Sequence, residues 1–377
     1  MRILFLNADY PSFLAALHEE RRGLALRDYA AQMAARNESC FGTADFMSRY
    51  MTASGIEAID IHANNRPLQE AWQATRQANP AGWMIRALCS YAPQPLRHRF
   101  IAFDRRQPRF GDILAAQIAA FRPSVLYNHD PGGLSADWLR SVLPPDCALV
   151  AQIASPRDPS VNWQAYDLVI SSLPNFVAAF RREGVSAEYM PLAFEPSVLR
   201  GLGAVPRDVP LSFVGSLSPA HGERLRFLAA IAAQSDVAVW GDGAERLASD
   251  SPLLARHQGA VWGTNMFRVL ARSQLTLNKH IDISENYANN MRLFEATGTG
   301  ACLLTDSKEN LHELFEPGRE VLAYRSSEEC LDLIRYYGAH PAEREAIARA
   351  GQERCLRDHS YERRMADLVA LLRQRFD

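Results

Sequence analysis

The sequence is poor in cysteine, and none of its six cysteines is placed for a metal site or a disulfide framework. The cysteines lie far apart along 377 residues, with no CxxC pair and no Cys/His ligand spacing. Small secreted domains concentrate their cysteines, whereas scattered thiols are typical of proteins from a reducing compartment. The number and spacing of the cysteines therefore argue against a zinc site and favour a location in the cytoplasm.

Long apolar runs and blocks of like charge are also missing. No window approaches the ~20 apolar residues of a membrane span. The stretch "MRILFLNADYPSF" at the amino terminus lacks the basic start and long apolar segment of a signal peptide, so we expect a cytoplasmic protein. The formal net charge is −2, far from the positive field of a nucleic-acid-binding protein. We expect no nucleic-acid partner and no transmembrane segment, and a peripheral membrane contact stays open.

The chain does contain a regular alternation of two patterns. Short β-type runs are separated by segments whose apolar residues recur at i, i+3 and i+4, as in 110–123. The runs in the first half are 2–6, 57–62, 124–128, 148–153, 167–172 and 187–192, and those in the second half are 211–216, 237–241, 275–280 and 301–306. Such alternation predicts an α/β fold built of βαβ units with parallel sheets.

The length and one irregular segment divide this pattern into two halves. A chain of 377 residues exceeds one ordinary core and predicts about two domains. Residues 194–209 contain two prolines and two glycines without a clear period, which indicates a linker. We therefore predict an amino-terminal Rossmann-like domain over 1–193, a second Rossmann-like domain over 210–359, and a final helix over 360–377.

The stretch "NNMRLFEATGTGACLLTD" (289–306) carries the most informative charges. A helix that begins at Asn289 or Asn290 places Arg292 in its first turn, where the macrodipole disfavours a cation by ~0.3–1 kcal/mol. An anion in front of the helix reverses that penalty, because free N–H groups and a guanidinium both suit phosphate. Glu295 can accept hydrogen bonds from ribose hydroxyls. The alternative is an exposed i, i+3 ion pair between Arg292 and Glu295.

Two glycines follow this helix, and a second candidate phosphate contact lies upstream. Gly298 is predicted to take the left-handed conformation that ends a helix, and Gly300 to permit close approach before the next strand. In 211–227, a turn opened by Gly215 and Ser216 leads into a helix with Arg224 near its start. That turn lies beyond the carboxyl end of a strand, where α/β proteins bind ligands.

The carboxyl-terminal half resembles the donor domain of group 1 type GT-B glycosyltransferases, with the CgeB-like branch as the nearest. The segments that carry the resemblance are 290–306 and 310–365, with weaker similarity in 121–130, 167–196 and 211–217. The resemblance implies two Rossmann-like domains that face a central cleft, with the last helix crossing back to the first domain. The second domain would hold a nucleotide sugar and the first an acceptor.

The resemblance also implies roles for single residues. Glu295 matches the glutamate that binds the nucleotide ribose, but Tyr287 stands where many members have a glutamate that contacts the sugar. Glu285 is near that position and out of register, so retention or inversion stays unassigned. Asn278 and His280 end a β-type run and are expected to point into the donor cleft, although a lone histidine is more often structural.

The implied reaction transfers a sugar from a UDP-, TDP- or GDP-sugar, with arginines and N–H dipoles stabilising the departing diphosphate. GT-B enzymes do this without a metal or another cofactor, and the chain lacks a convincing metal-binding element. For an inverting reaction, the first domain must supply a base. Asp45 is the leading candidate, with a helix N-cap as its alternative role. His129 and Asp130 come next, and Asp9 and Tyr10 can shape the acceptor pocket or form a plain turn.

Three functions are compatible with these observations. The preferred hypothesis is a bacterial glycosyltransferase of the hexosyl- or deoxyhexosyl-transferase class that acts in glycan biosynthesis. The acceptor stays open between a glycan, a lipid-linked sugar, a protein and a small metabolite. A nucleotide-sugar epimerase of the same architecture would need no acceptor, and a catalytically silent structural or interaction protein would turn over nothing.

Overall fold

The computed structural model describes residues 1–76, 80–104, 107–218 and 222–376, and its contacts divide the chain into two compact units. The first unit comprises Met1–Ser171, Phe176–Tyr189 and Val369–Asp377, and the second comprises Ser172–Asn175 and Met190–Leu368. The predicted linker segment 194–209 lies in the second unit and contains a short helix.

The first unit is built on a parallel sheet of order β2-β1-β3-β4-β5-β6. The strands are Arg2–Asn7 (β1), Glu57–His62 (β2), Val125–Asn128 (β3), Ala148–Gln152 (β4), Leu168–Ser171 (β5) and Ala187–Tyr189 (β6). The central strands are apolar runs because helices cover both faces of a parallel sheet. Leu4, Leu126 and Leu149 are completely buried in its core.

Helices follow most of these strands and alternate with them along the chain. They are Pro11–Glu20 (α1), Tyr29–Glu38 (α2), Phe46–Ala53 (α3), Arg66–Ala74 (α4), Pro80–Tyr91 (α5), Gln94–Ile101 (α6), Pro108–Phe121 (α7), Ala136–Val142 (α8) and Pro174–Arg182 (α9). Local chemistry sets several of their beginnings: the side chains of Asp28, Asn65 and Ser135 accept hydrogen bonds from the first turns of α2, α4 and α8. Short 3-10 helices span Leu24–Leu26 and Trp163–Ala165.

The second unit has a parallel sheet of order β11-β10-β9-β7-β8. Its strands are Val209–Val214 (β7), Ala238–Trp240 (β8), Ser273–Leu277 (β9), Cys302–Asp306 (β10) and Leu322–Tyr324 (β11). Leu277, Val239 and Leu304 lie in a core that is separate from that of the first unit. These two sheets confirm the predicted α/β class with two parallel-sheet domains.

The helices of the second unit flank this sheet. They are Ser197–Leu202 (α10), Gly222–Ala232 (α11), Pro252–Arg256 (α12), Gly263–Arg272 (α13), Met291–Gly298 (α14), Leu311–Leu314 (α15), Ser327–Ala339 (α16), Pro341–Asp358 (α17) and Tyr361–Phe376 (α18). Helix α18 continues into the first unit from Val369 onwards. Short 3-10 helices span Ala244–Arg246 and Asp282–Ser284. No helix among the described residues is long and apolar enough to cross a membrane.

The strand order of each sheet indicates where a ligand would bind. In the second unit β7 lies between β8 and β9. The chain therefore runs from β7 to β8 on one side and then crosses back to β9 on the other side. In the first unit the order changes direction between β1 and β3. Open α/β sheets bind ligands at such switch points, beyond the carboxyl ends of the strands. We therefore expect ligands to bind at the residues that follow β7 and β9 in the second unit, and β1 and β3 in the first.

Candidate functional site

The amino terminus of α14 is held by a chain of side-chain amides. The side-chain oxygen of Asn290 accepts a hydrogen bond from the amide of Leu293 at 3.0 Å, which makes Asn290 the N-cap. Its Nδ2 donates to Oδ1 of Asn278 at 2.8 Å. Asn278 in turn donates to the hydroxyl of Thr305 on β10 at 3.0 Å. The start of the helix is thus tied to the ends of two neighbouring strands.

Arg292 and Glu295 form the alternative ion pair, but the pair is buried rather than exposed. Nη1 of Arg292 lies 2.7 Å from Oε2 of Glu295, and the two side chains are only 15% and 8% exposed. Nε of Arg292 donates to the carbonyl of Val214 at 2.9 Å, at the end of β7. Burial raises the pKa of Glu295, and the Arg292 charge offsets only part of that rise. The pair therefore joins α14 to the end of β7.

Arg224 brings a second guanidinium towards Arg292. Its Nη2 donates to the carbonyl of Ser216 at 2.6 Å, in the turn after β7. Burial and the nearby charge of Arg292 lower the pKa of Arg224 to about 10, while Asp282 opposes the shift. Nε of Arg224 is buried with no hydrogen-bond partner in the described part of the chain. Glu295 and Asp282 offset the two guanidinium charges, so the feature that suits a bound anion is the unpartnered Nε–H of Arg224.

Asn278 and His280 lie beyond β9, which ends at Leu277, and both are buried. Their place in the donor cleft stays a prediction. Nδ1 of His280 lies 2.6 Å from Oδ1 of Asp306, and Nζ of Lys279 lies 3.2 Å from Oδ2 of that carboxylate. Burial raises the pKa of Asp306, but His280 and Lys279 outweigh this and hold it well below its usual range. Nε2 of His280 is buried with no hydrogen-bond partner among the described residues.

The left-handed conformation predicted for Gly298 was wrong, whereas the close approach predicted at Gly300 is confirmed, since a Cβ there would lie 2.6 Å from Nη2 of Arg207. Gly300, not Gly298, has a left-handed backbone, with φ of 78°. A Cβ built on Gly298 would lie 2.4 Å from two carbons of the Phe194 ring, so Gly298 also permits close approach. The turn that begins at Gly215 is also tightly packed, since a Cβ on Gly241 would lie 1.9 Å from the Gly215 carbonyl oxygen.

The loop between β9 and α14 contains a strained residue that the sequence did not indicate. Glu285 has φ of 47° and ψ of −119°, a conformation that glycine adopts most easily. The amide of Tyr287 closes the turn on the carbonyl of Ser284 at 2.8 Å, and Nζ of Lys308 donates to the Glu285 carbonyl at 2.6 Å. Strain of this kind persists where surrounding contacts enforce it and concentrates at functional sites.

Asp45, the leading candidate base in the first unit, occupies the N-cap position of α3 without capping it. The N-cap position that the alternative gave it is confirmed, but its side chain accepts no hydrogen bond from the first turn of the helix. Oδ1 of Asp45 instead lies 3.3 Å from Nη1 of Arg49, and the carboxylate side chain is 32% exposed. This carboxylate is accessible to solvent and has the partly exposed Arg49 beside it.

His129 and Asp130 follow β3, as the sequence predicts, but the histidine is poorly suited to act as a base. Burial, with a smaller contribution from the charge of His62, lowers the pKa of His129 to about 3. The ring centroid of His129 lies 4.9 Å from that of Tyr127, so the imidazole packs as an aromatic side chain. A base with so low a pKa accepts protons weakly at neutral pH.

A buried charge cluster at the carboxyl ends of β1 and β2 went largely unpredicted. Oδ1 of Asp9 lies 2.6 Å from Nη2 of Arg36, and its Oδ2 lies 3.2 Å from Nδ1 of His62. Burial raises the pKa of Asp9, but Arg36 and His62 outweigh it and hold the pKa well below its usual range. Asp9 was expected to line a pocket or a turn, and only its place after β1 pointed to this cluster.

No group of His, Cys, Asp or Glu within the described ranges is arranged to hold a metal ion. The polar groups that converge on the second unit's switch point are guanidiniums, amides and the carboxylates of Glu295 and Asp282. Their chemistry is that of an anion site with hydrogen-bond acceptors beside it.

Comparison with solved structures places the whole chain in one architecture. Sucrose-phosphate synthase from Thermosynechococcus elongatus is 16% identical, with a TM-score of 0.61 over 100% of this chain and 99% of that one. A glycosyltransferase from Rickettsia africae is 10% identical, with a TM-score of 0.60 over 100% of this chain and 98% of that one. HepE from Anabaena, solved with UDP, is 13% identical, with a TM-score of 0.54 over 99% of this chain and 100% of that one. The two parallel-sheet domains thus match GT-B glycosyltransferase structures, as expected.

A family model adds sequence evidence for the second unit. The family described as "Glycosyl transferase-like" matches residues 224–370, a stretch that begins at Arg224 and contains Arg292 and Glu295. A search of curated proteins finds no significant match. The family-model match and the fold together support a GT-B glycosyltransferase.

Proposed function

We propose that this protein transfers a sugar from a nucleotide-diphosphate sugar to an acceptor without a metal ion. The observation that carries the proposal is the cationic switch point of the second unit. There the N-cap of α14, the Arg292–Glu295 pair and the partly unsatisfied guanidinium of Arg224 lie together beyond β7 and β9. The matched family region contains all of them.

Arg224 is the proposed direct contact to the diphosphate. Arg292 already bonds Val214 and Glu295, whereas Nε of Arg224 has no partner among the described residues. Negative charge grows on the leaving diphosphate as the sugar bond breaks, and fixed positive charge and N–H dipoles stabilise it. The free N–H groups at the start of α14 act in the same direction. Gly215 and Ser216 bring backbone close to the phosphates.

Glu295 is the proposed acceptor for the ribose hydroxyls. Its Oε2 is committed to Arg292, whose charge favours the ionised carboxylate but offsets only part of the rise in pKa that burial causes. A carboxylate accepts several hydrogen bonds, so two hydroxyls of one ribose can bind the remaining lone pairs. Asn290, Asn278 and His280 are positioning residues that hold the helix and the adjacent loop through Thr305 and Asp306.

The first unit is proposed to bind the acceptor and to supply a base if the product is inverted. Asp45 is the favoured base, because its carboxylate is partly exposed and does not cap α3. Asp130 is the second choice, and His129 the third because of its lowered pKa. We retain 1–193, with the helix 360–377, and 210–359 as the acceptor and donor domains.

UDP-sugars are the proposed donors to examine first, followed by TDP- and GDP-sugars. HepE has been solved with UDP and with UDP-glucose, and it shares this fold at 13% identity. The CgeB-like branch, a hexosyl or deoxyhexosyl donor and a bacterial, cytoplasmic setting complete the proposal. The acceptor is a glycan, a lipid-linked sugar, a protein or a small metabolite.

Isothermal titration with UDP, TDP, GDP and ADP tests the donor site. We expect sub-millimolar binding of one nucleotide, and at least tenfold weaker binding to Glu295→Gln, because about 1.4 kcal/mol of ribose hydrogen bonding is lost. Glu316→Gln is the matched control, since Glu316 forms an exposed i, i+3 pair with Arg319. Failure of every nucleotide to bind the folded protein would refute the donor site.

Product analysis by mass spectrometry then tests the reaction. With the binding nucleotide's sugars and a panel of acceptors, transfer is expected to persist in EDTA. Isomerised nucleotide sugar formed without an acceptor would identify an epimerase instead. Nucleotide binding without hydrolysis or transfer would indicate a catalytically silent protein.

A further inference from the structure

Helix α5 of the first unit presents an apolar face to solvent. Trp83, Met84, Leu88 and Tyr91 are 58%, 61%, 41% and 74% exposed. Met84, Leu88 and Tyr91 follow at i, i+4 and i+7, so they lie along one side of the helix. The remaining outward positions of this helix, such as Pro80 and Ala81, are also uncharged.

The inward side of α5 carries the smaller and more polar residues. Gly82, Cys89 and Ser90 are buried, and Arg86 donates from Nη1 to the carbonyl of Arg27 at 3.3 Å. A surface helix of a water-soluble domain normally turns its large apolar residues inward. The polarity of α5 is thus inverted, and packing within this unit does not explain its large side chains.

Helix α6 follows α5 directly, packs against it and adds positive charge. Leu96 is 48% exposed, and His98 and Arg99 are exposed beside it. Residues 80–101 contain three arginines and one histidine but no aspartate or glutamate. The Glu19 carboxylate of α1 accepts hydrogen bonds from Nε2 of Gln94 at 2.8 Å, and buried Glu70 of α4 lies near Cys89 on the inward side.

The charge of this α5–α6 hairpin selects among possible partners. A two-fold interface with a second copy would bring the same arginines together, because such an interface pairs a surface with itself. A nucleic acid would match the charge but would leave Met84 and Leu88 against phosphates. An anionic bilayer surface matches both features, because its headgroups attract arginine while tryptophan, tyrosine and leucine enter the interface.

We propose that the exposed face of the α5–α6 hairpin docks the protein on membranes that contain anionic lipid. Trp83, Met84, Leu88 and Tyr91 enter the headgroup region, and Arg99 lies against lipid phosphates. The helix lies in the interface without crossing the bilayer, as amphipathic segments of peripheral proteins do.

Co-sedimentation with extruded vesicles tests the proposal on the full chain. We expect binding to phosphatidylcholine vesicles with 30 mol% phosphatidylglycerol, and much weaker binding to pure phosphatidylcholine. Trp83→Ser/Leu88→Ser should lower the partition coefficient at least tenfold. Arg99→Gln should lower it about fivefold, the ratio for one cation near an anionic surface, and 0.5 M salt should act in the same direction.

Two further variants separate membrane insertion from misfolding. Tyr336→Ser is the matched control, because Tyr336 is a 46% exposed aromatic residue on α16 of the second unit; its binding should equal that of the wild type. Trp83→Phe should still bind, but the blue shift of tryptophan emission on vesicle addition should be smaller than in the wild type.

Three results would overturn the proposal. They are no binding to anionic vesicles, equal binding to pure phosphatidylcholine, and a wild-type dimer that Trp83→Ser/Leu88→Ser converts to a monomer. The last result would identify a protein interface. Nucleotide binding by the second unit is measured separately, so neither outcome depends on the other.

Discussion

Replacement of Gly298 by alanine measures how firmly α14 is packed. The new Cβ would meet two carbons of the Phe194 ring at 2.4 Å, well inside contact distance. Phe194 cannot easily retreat: it is 1% exposed, its amide donates to the carbonyl of His359, and its carbonyl accepts from Tyr361. Overpacking in such a site costs typically 1–3 kcal/mol, and we take the upper end because both sides of Phe194 are held.

The helical gain of alanine over glycine offsets up to about 1 kcal/mol of this cost. We therefore expect Gly298→Ala to lower the free energy of unfolding by about 2 kcal/mol, which corresponds to a fall of roughly 4–8 °C in the melting temperature. Gly300→Ala meets a different obstacle, a left-handed backbone that costs an L-residue about 1–2 kcal/mol.

Differential scanning calorimetry on both variants is the assay, and Phe194→Leu is the rescue. In the Gly298→Ala background the smaller side chain should recover part of the lost stability, whereas in the wild type it should only destabilise. A neutral or stabilising Gly298→Ala, or the absence of any coupling with Phe194→Leu, would refute this account of the packing.

Three further outcomes follow from the site. Arg224→Gln should weaken nucleotide binding about 10- to 100-fold in titration calorimetry, because a charge-assisted bond contributes about 1.5–3 kcal/mol. The control Arg226→Gln, on the exposed side of α11, should bind normally. Equal effects of the two substitutions would contradict the assignment of Arg224. The pKa of Asp306 is lowered in the native state, so its contribution to stability is present above the unfolded pKa of about 3.9 and lost as pH falls below it. Urea midpoints should therefore decline more steeply from pH 5 to pH 3 in the wild type than in Asp306→Asn. Parallel curves would count against the His280–Asp306 contact. For an inverting reaction, Asp45→Asn should reduce kcat by roughly 10²–10⁴ with nucleotide affinity unchanged, and full activity would transfer the role of base to Asp130.

Much of the fold could be predicted from the sequence because parallel strands are short apolar runs between amphipathic helices. The run 57–62 coincides with β2, and Asn290 caps α14 through a bond that depends only on neighbours three residues apart. Other strands were shifted at their ends: the run 275–280 corresponds to β9, which ends at Leu277. β11 was not predicted.

The errors in the site share one physical cause, namely contacts between residues distant in sequence. Phe194 decides the role of Gly298, and no local pattern connects the two positions. Asp9, Arg36 and His62 meet only because β1, α2 and β2 are adjacent in space. The inverted polarity of α5 could have been recognised from the spacing of Met84, Leu88 and Tyr91, but only the structure shows which side faces solvent.

The buried Arg292–Glu295 pair is best understood as a spacer rather than as a source of stability. A buried ion pair gains little over apolar residues of similar size, because desolvation consumes most of the attraction. This pair does something that an apolar pair could not do: Nε of Arg292 bonds the last carbonyl of β7 while Nη1 bonds a carboxylate one turn into α14. The turn at Gly215 and the free N–H groups of α14 are therefore held at a fixed separation, with Arg224 between the turn and Arg292. The proposed diphosphate would place an anion in front of α14, which would account for a charged residue where the macrodipole alone disfavours one.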